Sequence, residues 1–200
     1  TRGHNFKPHL LFPWVDEIVH APEVLDAVED LIGPDIRLFH LTVWPKDAGS
    51  GAYVSWHQDA TYFALEPACH VTAWVALTDA TVDNGCPQVI PGLHRRGTLA
   101  HHYVDPLGYE IVESHPDAVA APVRKGGIVV FSSLTPHLTG PNITDSVRKA
   151  YILQYAPDGA TVMLGDPAQG PPTGRLVADA PHRQFPVLIS GAPVHSNPGS

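Results

Sequence analysis

Cysteine is nearly missing from this sequence: Cys69 and Cys86 are the two thiols in 200 residues, and no CxxC spacing occurs. That argues against a disulfide framework or a zinc–thiolate site and fits a reducing, cytoplasmic compartment. Charge is sparse too, at 16% of residues with a formal net charge of -8. The basic pairs Arg95–Arg96 and Arg124–Lys125 are short and isolated, so neither nucleic acid nor an anionic membrane surface is an expected partner. No run of eighteen apolar residues is available to span a bilayer. No charged start followed by an apolar stretch and a small-residue cleavage site marks a secretory signal. The first residue is Thr1 rather than methionine, which leaves room for an upstream piece. What is present is an apolar fraction of 44%, enough at this length for one domain, residues 1–200, with a substantial core.

Secondary-structure signals begin with a short helical region. Residues Pro22 to Leu31 place Val24, Leu25, Val28 and Leu31 on one face and Glu23, Asp26, Glu29 and Asp30 on the other. Pro22 suits the first turn, and Gly33–Pro34 ends the helix. From Ile36 the texture turns to short β-rich runs: Ile36 to Trp44, Tyr53 to His57, the buried run Val71 to Leu77, Gln88 to Ile90, Ile128 to Ser132 and Arg148 to Tyr155. Many short strands separated by turn residues predict a mainly β jelly roll or barrel with its core over about 36–157. The stretch Gly92 to Val123 is less regular and is expected to cross outside the sheets. Residues 158–200 read as an extended segment wrapping the core, with Val187–Leu188–Ile189 adding an edge strand.

The sharpest chemical signal is His57–Gln58–Asp59, answered by His137 and then Arg148. Two imidazoles and a carboxylate are the set that holds Fe(II) on one face and leaves the opposite face open. On an extended strand His57 and Asp59 point to the same side, so both reach one metal while Gln58 points away. An isolated HxD triplet arises easily by chance; the partners give it weight. His137 follows a buried strand. Arg148 opens an otherwise apolar one, where an inward guanidinium is costly unless it binds an anion. Its planar fork matches a carboxylate through two hydrogen bonds. The bland alternative for Arg148 is an exposed edge-strand position. Of the thirteen histidines, His4, His9, His20, His101, His102, His115, His182 and His195 lie in polar or loop-like surroundings and are read as unrelated to chemistry.

These residues stand within a larger ordered pattern: Trp56–His57–Gln58–Asp59–Ala60–Thr61–Tyr62, then Ala73–Trp74, then Asn84–Gly85–Cys86–Pro87 leading to Ile90–Pro91–Gly92–Leu93–His94, then His137–Leu138–Thr139–Gly140–Pro141–Asn142 leading to Arg148. From about Val15 to Pro157 the chain resembles the phytanoyl-CoA dioxygenase family of Fe(II)/2-oxoglutarate-dependent oxygenases. The resemblance implies a double-stranded β-helix, a cupin-like jelly roll with flanking helices and the metal inside its open end. It implies His57, Asp59 and His137 as iron ligands and Arg148 as partner of the distal carboxylate of 2-oxoglutarate. It further implies Thr139 as a hydroxyl supporting that carboxylate, Trp74 as a wall of the cosubstrate pocket, and Thr42, with His40 less firmly, as residues facing it. Trp74 also reads as an ordinary core aromatic and Thr139 as a turn hydroxyl, and for His40 the structural reading is preferred. Asn84, Gly85, Pro91, Gly92 and His94 read as loop architecture, while Gln58 and Tyr62 border the metal. Similar proteins carry a further cation upstream that touches the cosubstrate; Arg2 and Lys7 are the candidates here.

The implied activity is a 2-oxoglutarate-dependent dioxygenase that uses O2 to hydroxylate an unactivated C–H bond of a small metabolite and releases succinate and CO2. Asp59 favours hydroxylation or desaturation over halogenation, because related halogenases carry a small residue there. The rivals are a cupin-type metalloenzyme that does not use 2-oxoglutarate and a noncatalytic jelly-roll scaffold. A zinc hydrolase lacks a glutamate placed as base. Without a basic patch a coenzyme A thioester is a weaker candidate substrate than a free amino acid or natural-product intermediate.

Overall fold

The computed structural model describes residues 8–164, 174–177 and 185–194. Among these residues three α-helices, α1 (Pro13–Val19), α2 (Pro22–Ile32) and the single turn α3 (Asp59–Tyr62), and two 3-10 turns at Pro8–Leu10 and Leu93–Arg96 accompany fifteen strands. In chain order these are β1 (Ile36–Lys46), β2 (Val54–His57), β3 (Leu65–Glu66), β4 (Val71–Ala76), β5 (Pro87–Val89), β6 (His102–Val104), β7 (Gly108–Glu110), β8 (Val119–Ala120), β9 (Ile128–Ser132), β10 (His137–Thr139), β11 (Arg148–Pro157), β12 (Thr161–Leu164), β13 (Gly174–Val177), β14 (Phe185–Ile189) and β15 (Ala192–Pro193).

The large sheet runs β15-β14-β1-β11-β4-β9, and a smaller one runs β2-β10-β5-β8. All pairings in both sheets are antiparallel. With 39% of the described residues in strands against 17% in helices, the protein is a mainly β, cupin-like jelly roll, as the sequence predicts.

Alternation along the strands assigns the two faces of the large sheet. Val71, Ala73 and Val75 of β4 and Tyr151, Leu153 and Tyr155 of β11 pack with Val15, Val19, Val24, Leu25 and Val28 of the helices in the main apolar cluster. Fully burying each such aliphatic side chain stabilises by about 1.5–3 kcal/mol. The intervening residues, Thr72, Trp74 and Ala76 of β4 and Arg148, Ala150, Ile152 and Gln154 of β11, therefore face the interior of the roll. The whole of β4 is buried because both faces are covered. On β1 a bulge between Leu38 and His40 shifts the phase. Leu41 consequently packs on the helix side, and His40, Thr42 and Lys46 share the interior parity with Arg148.

Local departures from expectation have simple causes. Leu31 is 60% exposed, whereas Ile32 packs against the core; four residues past Val28, not three, returns the α2 stripe to the sheet. The Gly92–Val123 stretch is partly built in: β8 extends the small sheet through β5, Ala80 bridges Val123, and β6 and β7 pair as a separate hairpin. β14 lies between β1 and β15 rather than at the sheet edge. Elsewhere in 158–200, β12 pairs with β3 and β13. Residues 165–173, 178–184 and 195–200 lie outside the described residues. So do Arg2 and Lys7 as candidate cations, and His4, His182 and His195.

Candidate metal centre and anion cradle

His57 ends β2 and His137 begins β10, and the two are direct partners across the small sheet. Their ring centroids are 4.2 Å apart. Each ring is oriented by the same local device. Nδ1 of His57 bonds the Ser55 carbonyl at 2.8 Å, and Nδ1 of His137 bonds the Thr135 carbonyl at 3.0 Å. A carbonyl only accepts, so both Nδ1 atoms carry hydrogen, and in the neutral tautomer each ring leaves its Nε2 lone pair toward Asp59.

Asp59 completes the group, though not from the same strand. The chain leaves β2 at His57, Gln58 stays extended, and Asp59 opens α3. The turn is fixed from outside: the Ala60 amide donates to Ser133 O, and Gln58 packs away from the centre with no exposed surface. The Gln58 side chain donates to the carbonyls of Gly97 and Leu134 and accepts from the Leu99 amide, so it ties loops together rather than contacting a substrate.

Asp59 Oδ1 lies 3.7 Å from Nε2 of each histidine. Oδ2 accepts from Thr72 Oγ1 at 2.6 Å. One ligand atom from each of His57, Asp59 and His137 lies within 4.8 Å of the others, and all three residues are buried. Burial raises the Asp59 carboxyl, but the neighbouring His137 and His57 and the Thr72 hydrogen bond outweigh it and hold it well below the usual carboxylate range. Burial, then His57, pushes His137 down to about 4, against the opposing pull of Asp59. Two Nε2 atoms and a carboxylate oxygen thus converge on one point. That arrangement is one a cation at the centre would stabilise, and the atoms are close enough for a single ion to reach all three. The donor set fits a first-row divalent metal with three open positions.

Next to it lies a second unbalanced feature. Arg148 is fully buried; Nη1 donates to Trp44 O at 3.2 Å, while Nε and Nη2 have no acceptor among the described residues. Its guanidinium carbon lies 5.3 Å from the centre of the Trp74 ring, a cation–π contact. Lys46, directly opposite Arg148 in the β1–β11 register, is only 5% exposed. Its Nζ donates to Thr139 O at 3.2 Å, to Thr139 Oγ1 at 3.3 Å and to Gly140 O. Burial and then Arg148 push Lys46 down to about 8; burial pushes Arg148 down to about 10. Among the described residues no carboxylate pairs with either cation. Two buried positive charges thus stand side by side without a countercharge, and Arg148 keeps two unused donors, an arrangement suited to an anion.

The expected site residues are thus brought together with few exceptions. His57, Asp59, His137, Arg148, Trp74 and Thr139 are all buried, and Thr42 stands in one cross-strand row with Ile152 and Trp74. His40 shares that parity. Tyr62 borders His57 edge-on at 5.4 Å.

Three participants were missed. Thr72 supports Asp59; an isolated hydroxyl two positions before Trp74 in a buried strand was the available signal. Lys46 had no local signal, because only the strand register sets it beside Arg148. His101, read as a loop histidine, instead packs against the metal-bearing turn. Its Nδ1–H donates to Leu99 O, Nε2 accepts the Gln58 amide, and Thr61 Oγ1 is within 3.0 Å. His9 and His20 are likewise buried rather than loop-like. His9 meets Phe185 edge-on, and His20 bonds the carbonyls of Asp16 and Val194. These three histidines are recruited by segments distant in sequence.

A curled antiparallel roll with a His/Asp/His centre defines the class of metal-binding cupin-like proteins. Within it, the phytanoyl-CoA dioxygenase (PhyH) profile matches residues 4–150, and the chain belongs to that family. Phytanoyl-CoA dioxygenase domain-containing protein 1 of Mus musculus is 30% identical over 94% of this chain and 65% of its own length. Among solved structures, the apo non-heme monooxygenase ThoJ superposes with a TM-score of 0.72 at 35% identity, covering 80% of this chain and 61% of ThoJ. The epimerase SnoN in complex with Fe3+, alpha ketoglutarate and nogalamycin RO superposes with a TM-score of 0.68 at 25% identity, covering 96% and 74%. The chain spans 65% or less of the first curated relatives it matches. No helix among the described residues is long and apolar enough to cross a membrane.

Proposed function

We propose that this chain is the catalytic domain, one unit over residues 1–200, of an Fe(II)- and 2-oxoglutarate-dependent dioxygenase that hydroxylates an unactivated C–H bond of a small metabolite. His57, Asp59 and His137 hold the iron, and the cradle of Arg148, Thr139 and Trp74, with Thr42 on the adjoining strand, receives the cosubstrate. The carrying observation is the pairing of two opposite imbalances in one interior: a lone-pair cluster that lacks a cation, beside buried cations that lack an anion. A metal and a diacid cancel both, and Thr72 beside Asp59 and Trp74 beside Arg148 share one face of β4, so a 2-oxo acid with a distal carboxylate finds a partner for each end. When bound, iron would activate O2, the oxidant, with electrons drawn from 2-oxoglutarate as it is oxidised to succinate and CO2.

The residues themselves supply placement. The Ser55 and Thr135 carbonyls fix the two ring orientations, Thr72 keeps one Asp59 oxygen aimed at the histidines, and Arg148 fixes the far end of the diacid. The unpaired cations favour this reading over a cupin enzyme without a keto acid, which has no use for them. The family relationship and the neighbour holding Fe3+ and alpha ketoglutarate support it further. The free thiols Cys69 and Cys86 suit a cytoplasmic setting.

Anaerobic titration of the protein with Fe(II) and then 2-oxoglutarate tests the assignment. The expected result is the visible charge-transfer band of the chelate, lost in Asp59→Ala, and, once O2 and a substrate are admitted, release of succinate. A band of unchanged strength in Asp59→Ala removes the case.

A further inference from the structure

The Lys46 side chain spans from the end of β1 in the large sheet to β10 in the small one, and its three bonds all end on Thr139 and Gly140. Its backbone is held as well, because Asn142, fully buried, donates to both Lys46 O and Ser146 O. Gly85 makes the approach possible from the other side: it adopts φ +82°, and a Cβ there would collide with Gly140 O. The construction is over-determined for a residue whose only task is to close the roll, and it buries a second cation beside Arg148 without a countercharge.

We infer that Lys46 is a positioning residue that makes the cradle selective for a dicarboxylate. An ammonium group has only donors. By donating to Thr139 Oγ1 it occupies a lone pair of that hydroxyl and turns the hydroxyl hydrogen outward as a donor. Thr139 thereby becomes a dedicated donor toward a carboxylate held by the unused Nε and Nη2 of Arg148. A neutral ligand end gains nothing from a site so polarised. The inference rests on the diacid reading above, and the test separates the two.

The test is calorimetric titration of the anaerobic Fe(II)-loaded protein with 2-oxoglutarate and with 2-oxopentanoate, which has the same carbon chain but no distal carboxylate. Lys46→Met is expected to weaken 2-oxoglutarate about tenfold or more and to leave 2-oxopentanoate within about twofold. Lys46→Arg is expected to retain most of the preference, and Thr139→Val to lose much of it while Lys46 remains. Equal weakening of both ligands in Lys46→Met means a purely structural role and overturns the inference, as does full preference in Thr139→Val. Should Lys46→Met not fold, the Lys46→Arg and Thr139→Val pair decides by the same criterion. Arg148→Met tells the two readings apart. If it leaves the preference intact, the diacid cradle itself is wrong; if it abolishes the preference while Lys46→Met keeps it, only the role of Lys46 falls.

Discussion

The two faces of the large sheet are written by alternate residues of the same strands, yet they follow opposite rules. Toward the helices, Tyr151, Leu153 and Tyr155 of β11 pack with the apolar faces of α1 and α2, and the Tyr155 hydroxyl donates to Val19 O at 2.8 Å. Only the Tyr151 hydroxyl on that side of β11 lacks a hydrogen-bond partner among the described residues. Toward the interior, Arg148 leaves two nitrogens unpaired, Gln154 leaves Oε1 unpaired, and Asp59 faces two imidazole lone pairs. The outer face lowers the free energy of the fold. The inner face raises it and keeps polar groups in wait for ligands, a penalty a domain tolerates only where function requires it. One strand can do both because its side-chain period is two.

Substitutions on neighbouring positions of β11 and β4 should therefore separate stability from binding. The largest effect is expected at Asp59, where Asp59→Ala removes Fe(II) binding altogether, read by metal titration. Arg148→Met should weaken 2-oxoglutarate by about 2–5 kcal/mol. It should also leave the apoprotein as stable as before or more so in urea melts, since an unpaired buried charge is replaced by an apolar chain of similar volume. Leu153→Ala, on the opposite face of the same strand, should do the reverse: a loss of about 2–5 kcal/mol in denaturant stability with little change in ligand affinity. If both variants lose stability alike, the division of labour between the faces is wrong.

Thr72→Val tests whether the supporting hydroxyl matters to the metal; a reduction of roughly 10- to 100-fold in Fe(II) affinity is expected, with the melting temperature little changed. The smallest effect concerns pH. Burial raises Tyr155 and Tyr151 well above the usual tyrosine value of 10.0. As pH rises through 10 the unfolded chain loses these phenolic protons and the folded chain keeps them, so stability falls with rising pH. Tyr155→Phe should cost about 1 kcal/mol at neutral pH through the lost bond to Val19, and should make the alkaline decline shallower in melts from pH 9 to 11.

Much of this protein follows from local pattern. The strand over 128–132, the buried run at 71–76, the helix started by Pro22 and stopped at Gly33, and the ordered histidine, aspartate and arginine spacing were all legible, because periodicity and turn chemistry act over a few residues. What lay beyond the sequence was whatever depends on register and on contacts between distant segments. The bulge at Leu38/His40 phases β1, and strand pairing then sets Lys46 opposite Arg148. The Ser133 carbonyl turns Asp59 out of its strand into α3, and the 97–101 loop draws Gln58 and His101 into support rather than catalysis. Residue identities fixed which chemistry was available; only closure of the roll brought the charges close enough to make neighbours of them, because electrostatic and hydrogen-bonding energies depend on distances that chain order does not encode.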